Sequence, residues 1–218
     1  MNSKKINILY LGIFLGLTCA VSAVIMGVAA HVTKKPISDA KKADLMENLQ
    51  QVMPAFDGEP ILKTVQTDDN IPVDFYLVKK DGKFAGAAGI SFSMKGYAGK
   101  VQVMAGLDAA GKIKTVIVTE QNETPGLGTK ITDRVRQKTI FNLFSDAAPG
   151  LPANRILDQF DGHSASAADS WKTPWKVKKD GGDVDFITGA TVTTRAVTDA
   201  VYRIESAWMQ NRDTLVPE

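Results

Sequence analysis

The sequence predicts an α+β domain, an antiparallel sheet meander with flanking helices, preceded by one N-terminal transmembrane helix. Three observations carry that prediction. An uncharged run, INILYLGIFLGLTCAVSAVIMGVAA, extends from Ile6 to Ala30 behind Lys4 and Lys5. Four segments rich in β-branched or small residues follow one another between Val73 and Thr119, separated by short turn signals. Helical spacing returns in the last part of the chain, from Thr194 to Asn211.

The uncharged run exceeds the roughly 20 apolar residues that span a bilayer. The apolar core of a cleavable signal is shorter, roughly 7–15 residues, so the length favours a retained anchor. Val21-Ser22-Ala23 and Val28-Ala29-Ala30 imitate a cleavage exit. Cys19 follows Thr18, which is a poor lipoprotein context. Gly12, Gly16 and Ala20 fall four residues apart, and Ala23 and Gly27 form another such pair. That spacing lets helices approach closely in lipid, although small residues are common in membrane helices anyway. Lys4 and Lys5 before the run balance Lys34 and Lys35 after it. The amino terminus tips the count towards a cytoplasmic N-terminus.

Leu45, Leu49 and Val52 then recur at helical spacing, with Ser38 or Asp39 as the N-cap and Pro36 and Pro54 as brackets. The four strands expected next are Val73–Val78, Phe84–Phe92, Val101–Leu107 and Ile113–Thr119, with turns at Lys79–Lys83 and Ala110-Gly111. Short turns favour a meander over a doubly wound parallel sheet, and no G-x-G-x-x-G opens a helix after a strand. A helix is expected over Thr129–Phe144, and loop over Pro149–Ser170, including HSASAADS. The final helix places Val197, Val201, Ile204 and Trp208 on one face.

Composition removes several functions. Lys4 and Lys5 are two of the 26 basic side chains, and the remainder balance the 24 acidic ones. A neutral domain gives no case for nucleic acid. Cys19 is the only cysteine and His31 and His163 the only histidines, so thiolate, Fe–S and His-based metal sites and a Ser-His triad are not expected. Lys172, Lys176, Lys178 and Lys179 near Trp171 and Trp175 read either as a dock for an acidic partner or as solvated charges guarding an edge strand.

Two glycine-rich corners remain. Glu120–Lys130, EQNETPGLGTK, leaves the last strand of the meander. Pro125-Gly126 favours a tight turn and Gly128 allows close backbone approach. This is either an ordinary strand-to-helix connection or a loop facing a ligand. The second corner, DFITGATVTTRA from Asp185 to Ala196, carries threonine at three of the four positions 191–194. Thr193 or Thr194 can cap the final helix. Thr188 and Thr191 instead flank a Gly-Ala pair that leaves room for a bulky group, and a helix N-terminus favours phosphate. Both readings stay open on the residues alone.

The stretch DFITGATVTTRAV resembles the D-x-x-[S/T]-G-A-T flavinylation motif of the bacterial FMN-binding domain family. EQNETPGLGTKI resembles the same family's second signature, MKGYAGKVQVMAGLD its central strand pair, and Gln159-Phe160 a further match. With the single N-terminal span, the chain is similar to the G subunits of Rnf-type electron-transport complexes. The C subunits of the sodium-translocating NADH:quinone reductase are close relations.

The resemblance implies FMN joined by a phosphoester to Thr191, made by a separate flavin transferase that uses FAD as donor. That accounts for the missing activating base. It further implies that Asp185, Thr188, Gly189, Ala190 and Thr191 form the sequence the transferase recognises, and that Glu123, Thr124, Leu127 and Gly128 contact the flavin with Thr188, Gly189 and Ala190. Asn122 departs from the family's pattern.

The implied layout is a cytoplasmic N-terminus over residues 1–5, a transmembrane helix over 6–32, a stalk or first helix over 33–54, and a periplasmic FMN-binding domain over 55–218. The implied protein sits in the bacterial inner membrane among the other membrane subunits of the complex. There it relays electrons through FMN and couples ferredoxin/NAD electron transfer to ion translocation, a redox subunit of a translocase and not a complete enzyme alone. The alternative is a flavin-free membrane-anchored scaffold or sensor with the same fold.

Overall fold

A computed structural model describes residues 8–53, 55–134, 151–166 and 168–216. The chain divides into two compact units, Met1–Met46 and Glu47–Glu218. The first unit is helical, formed by helix α1, Ile8–Val52, whose last residues from Glu47 belong to the second unit; from Leu9 to Asp44 every side chain is exposed. Its apolar part reaches a mean hydropathy of 2.3. An apolar surface left wholly uncovered by protein has the length and composition to cross a bilayer.

The expected break at Pro36 is absent, because α1 runs through it. Ser38 caps nothing and donates its hydroxyl to Lys35 O at 2.9 Å, within the helix. Proline removes one i→i−4 bond, but helix formation is cooperative, and the KKADLMENLQQ stretch beyond it consists mostly of good helix formers.

The second unit is built on a five-stranded sheet in the order β1-β2-β3-β4-β5, every neighbour antiparallel. The strands are β1 Asp57–Gln66, β2 Pro72–Lys80, β3 Lys83–Gly96, β4 Gly99–Asp108 and β5 Ile113–Glu120. The four expected strands are present as β2 to β5, each longer than its sequence signal. Strand β1 is additional to them. It is an edge strand whose pairing with β2 shifts between Asp57 and Ile61, around Pro60, and its side chains are mostly exposed. An edge strand with a proline at an irregularity shows no hydrophobic alternation to read.

Helix α4, Thr191–Leu215, packs across one face of this sheet. Val197, Val201, Ile204 and Trp208 are all fully buried, as their spacing predicts. The small residues of β3 make the approach close: a Cβ on Gly89 would stand 2.3 Å from Ile204 Cγ2. Trp208 lies 5.5 Å from Phe75 and 6.0 Å from Phe84, ring to ring. Successive side chains of a strand point to opposite faces. Ala105 of β4 joins the core under α4, whereas a Cβ on Gly106 would meet Val52 O, at 2.0 Å, so the last turn of α1 covers the other face.

Helix α2 is only Thr129–Thr132, and the remainder of the expected helix to Phe144 lies largely outside the described residues. Within the expected loop, helix α3 forms over Arg155–Asp158, with Asn154 Oδ1 accepting from Ile156 N and Leu157 N. A four-residue helix carries too little periodicity to be seen in sequence, and its cap is the available signal. Trp171 and Trp175 do not display the neighbouring lysines on an edge strand. They pack with Phe160 and His163, Trp175 buried, and among the described residues the only pairing beside them is a bridge between Val177 and Val184.

Candidate functional site

The two glycine corners meet. The first leaves β5 and folds back, with Thr124 O accepting from Leu127 N at 3.2 Å and Gly126 N donating to Thr129 Oγ1 at 2.9 Å. The fold-back is tight at Gly128, where a Cβ would lie 2.6 Å from Glu123 Cβ and 3.0 Å from Thr193 Oγ1. Only glycine leaves that space.

The buried Glu123 joins three elements. Its carboxylate accepts from the Thr193 hydroxyl on α4 and from Ala98 N, at 3.2 Å, at the tip of the β3–β4 hairpin. Sequence resemblance implies a flavin contact at Glu123. The structure gives its side chain a positioning role as well, holding the loop, the hairpin and the first turn of α4 together.

The second corner is held by Gln159. Its side chain makes a two-way pairing with the backbone of Asp185, accepting from Asp185 N at 2.7 Å and donating to Asp185 O at 3.2 Å. The Asp185 carboxylate takes Lys178 Nζ at 2.6 Å and Arg155 Nη2 at 3.2 Å. These two cations, Lys178 first, hold it below the usual carboxylate range. Phe186 and Ile187 pack against the core. The chain then turns at Gly189, whose φ of +89° is left-handed, and Ala190 N donates to Ile187 O at 2.9 Å.

Helix α4 starts at Thr191 without a side-chain cap. Thr193 and Thr194 do not cap it, contrary to one sequence reading. The Thr193 hydroxyl is taken by Glu123, and Thr194 Oγ1 bonds back to Ala190 O at 3.1 Å. The first turn contains no acidic residue. A 25-residue helix thus begins with backbone N–H groups that no side chain satisfies among the described residues, at the positive end of its dipole.

Between the corners lies a cavity of about 220 Å³. Of the residues singled out in the sequence, Glu123, Thr124, Leu127, Gly128, Gly189 and Ala190 line it. Thr188 is outside the lining and Asp185 stands back among its cations. Thr191 is also outside the lining, although its chain neighbours Ala190 and Val192 belong to it; it is 9 % exposed, with no hydrogen bond from its hydroxyl among the described residues. Sequence reasoning missed Tyr97, Val192 and Thr193 as lining residues. The available signal for Tyr97 is an aromatic placed at a hairpin tip in KGYAGK; Val192 and Thr193 simply follow Thr191 on the helix.

The residues fit FMN. A phosphate matches the uncapped helix end, Gly189 and Ala190 add no bulk, and Tyr97, Leu127 and Val192 give an exposed apolar rim for a flat ring. Among the described residues no His, Cys, Asp or Glu group is arranged to hold a metal ion.

Comparison with known proteins gives the family. Residues 96–204 match the FMN-binding domain. The G subunit of the ion-translocating oxidoreductase complex of Photorhabdus laumondii is 34 % identical, over 88 % of this chain and 86 % of its own length. The protein of the same name from Haemophilus influenzae is 32 % identical over 99 % and 96 %, and that of Vibrio parahaemolyticus 30 % over 93 % and 92 %. Hairpin tip, returning loop and helix start all fall inside the matched domain, and the chain belongs to the FMN-binding domain family, among the G subunits of ion-translocating oxidoreductase complexes.

Proposed function

We propose that this chain is the electron-carrying subunit of a membrane-bound ion-translocating oxidoreductase complex, and that its carrier is FMN attached covalently through phosphate to Thr191. The observation that carries the proposal is the start of α4: an uncapped helix end with Thr191 as its first residue, opening beside the cavity where both glycine corners meet. The names of its relatives support the setting.

Bound FMN supplies reversible one- and two-electron chemistry that no side chain here provides. The protein's residues do the holding. The first-turn N–H groups of α4 offset the phosphate charge. Gln159 fixes the backbone that leads into Thr188–Thr191. Glu123 keeps the opposing loop and hairpin in register with that helix. Leu127 and Val192 present apolar surface to the ring and exclude water from one side of it.

Attachment is assigned to an outside catalyst, because among the described residues no side chain accepts a hydrogen bond from the Thr191 hydroxyl. A flavin transferase recognising Asp185–Thr191 supplies one. The Thr191 Oγ–P bond forms as the pyrophosphate bond of FAD breaks, AMP leaves, and the hydroxyl proton passes to the transferase. The proposal extends to the setting: an inner-membrane anchor from α1, the FMN domain on the periplasmic side, and electron flow between ferredoxin and NAD coupled to ion movement by the assembled complex.

In-gel flavin fluorescence after denaturation tests the attachment. Full-length chain made together with a flavin transferase is expected to fluoresce as wild type and to be dark as Thr191→Ala. Fluorescence of equal strength in both would overturn the assignment.

A further inference from the structure

The cavity between the corners has one wall that neither corner supplies. Tyr97 stands at the tip of the β3–β4 hairpin, between the paired Gly96 and Gly99, and lines the cavity. The tip is fastened in place. Ala98 N donates to Glu123, and a Cβ on Gly96 would lie 2.7 Å from Glu123 Oε1. Tyr97 is nevertheless 74 % exposed, and among the described residues its ring pairs with no other ring. Beside it Leu127 is 47 % and Val192 38 % exposed.

An exposed aromatic on an anchored tip, next to two exposed apolar side chains, offers a face to a flat ligand. The cavity holds about 220 Å³, below the ~300–1,000 Å³ of pockets that enclose a cofactor-sized molecule. It is too small to enclose an FMN-sized group, so part of a group held at the neighbouring Thr191 would extend past the rim where Tyr97, Leu127 and Val192 are exposed.

We propose that Tyr97 is a positioning residue that packs its ring on the isoalloxazine of FMN and holds it at the cavity mouth. Tyr97 has this role only if FMN is held at Thr191, as proposed above. The hydroxyl is incidental to it, so phenylalanine serves equally.

The test uses the full-length chain in detergent, made with a flavin transferase, as wild type, Tyr97→Ser and Tyr97→Phe. FMN load is measured first by intact mass, and iodide quenching of the flavin fluorescence is then titrated. An aromatic contact of this kind shifts a docked-to-undocked equilibrium roughly 2- to 10-fold, so quenching is expected to steepen in Tyr97→Ser and to stay at the wild-type level in Tyr97→Phe. Equal quenching in all three loaded proteins overturns the role of Tyr97, as does a Tyr97→Phe protein that behaves like Tyr97→Ser. A wild type that carries no FMN overturns the reading of the site itself.

Discussion

Replacing Glu123 by alanine removes the side chain that ties three elements around the cavity. Two hydrogen bonds are lost, from Thr193 Oγ1 and from Ala98 N, both at a residue only 5 % exposed. Bonds to a carboxylate are worth about 1.5–3 kcal/mol each. Water entering the vacated space recovers part of this, so the net loss is about 2–4 kcal/mol. For a domain of this size each 1 kcal/mol lowers the melting temperature by roughly 2–4 °C, giving a drop of about 5–15 °C. Glu123→Gln keeps the shape and an acceptor for Ala98 N, and it is expected to cost less than half as much. The assay is thermal unfolding of the full-length chain in detergent, followed by tryptophan fluorescence, for wild type and both variants. A drop below about 2 °C for Glu123→Ala, or equal drops for the two variants, refutes the tie.

Other outcomes follow from the same structure. Burial holds the Glu205 carboxyl up at about 8, against an ordinary 4.5, with a bond from Ala165 N working the other way. Between those values the folded chain keeps a proton that the unfolded chain has lost, so stability falls as pH rises from 4.5 to 8, by about 1.4 kcal/mol per pH unit. Glu205→Gln is expected to remove that slope from a pH series of denaturant unfolding curves, and an unchanged slope contradicts the assignment. Gly89→Ala forces a Cβ against Ile204 and is expected to cost about 1–3 kcal/mol. In an Ile204→Ala background, which lacks the Cγ2 in the way, Gly89→Ala should cost less than it does in the wild type, and an equal cost in both backgrounds means that α4 does not rest there. Asp185→Asn breaks only partly exposed ion pairs with Lys178 and Arg155, so melting should move by no more than a few degrees. The rate of flavin transfer should fall much further, and an unaltered rate removes Asp185 from the recognised sequence.

Legibility in the sequence followed the physical strength of each signal. Strands β2 to β5 and the buried face of α4 are readable because burial on a sheet or helix face imposes a period. Strand β1 buries too little to do so, and its Pro60 reads as a breaker. The proline and cap signals at Pro36 and Ser38 are overruled by helix on both sides. At the site, the glycines and threonines of both corners are legible because backbone geometry dictates residue type. That the corners meet, with Gly189 3.6 Å from Leu127 were it to carry a Cβ, depends on how the β5 exit and the α4 start are placed by the sheet. The tie through Glu123, the Gln159 pairing with Asp185 and the cavity wall at Tyr97 are contacts between distant segments. No local pattern encodes them.

The central claim is a covalent flavin on one particular hydroxyl. Cleavage after Lys179 and Arg195 releases a peptide, Asp180–Arg195, that contains Thr188, Thr191, Thr193 and Thr194 together. Fragment mass analysis of that peptide, from full-length chain made with and without a flavin transferase, locates the modification among the four. The account predicts the mass of one FMN less water on Thr191, only when the transferase is present. An unmodified peptide beside a flavinylated control protein, or the added mass on any of the other three threonines, would contradict it.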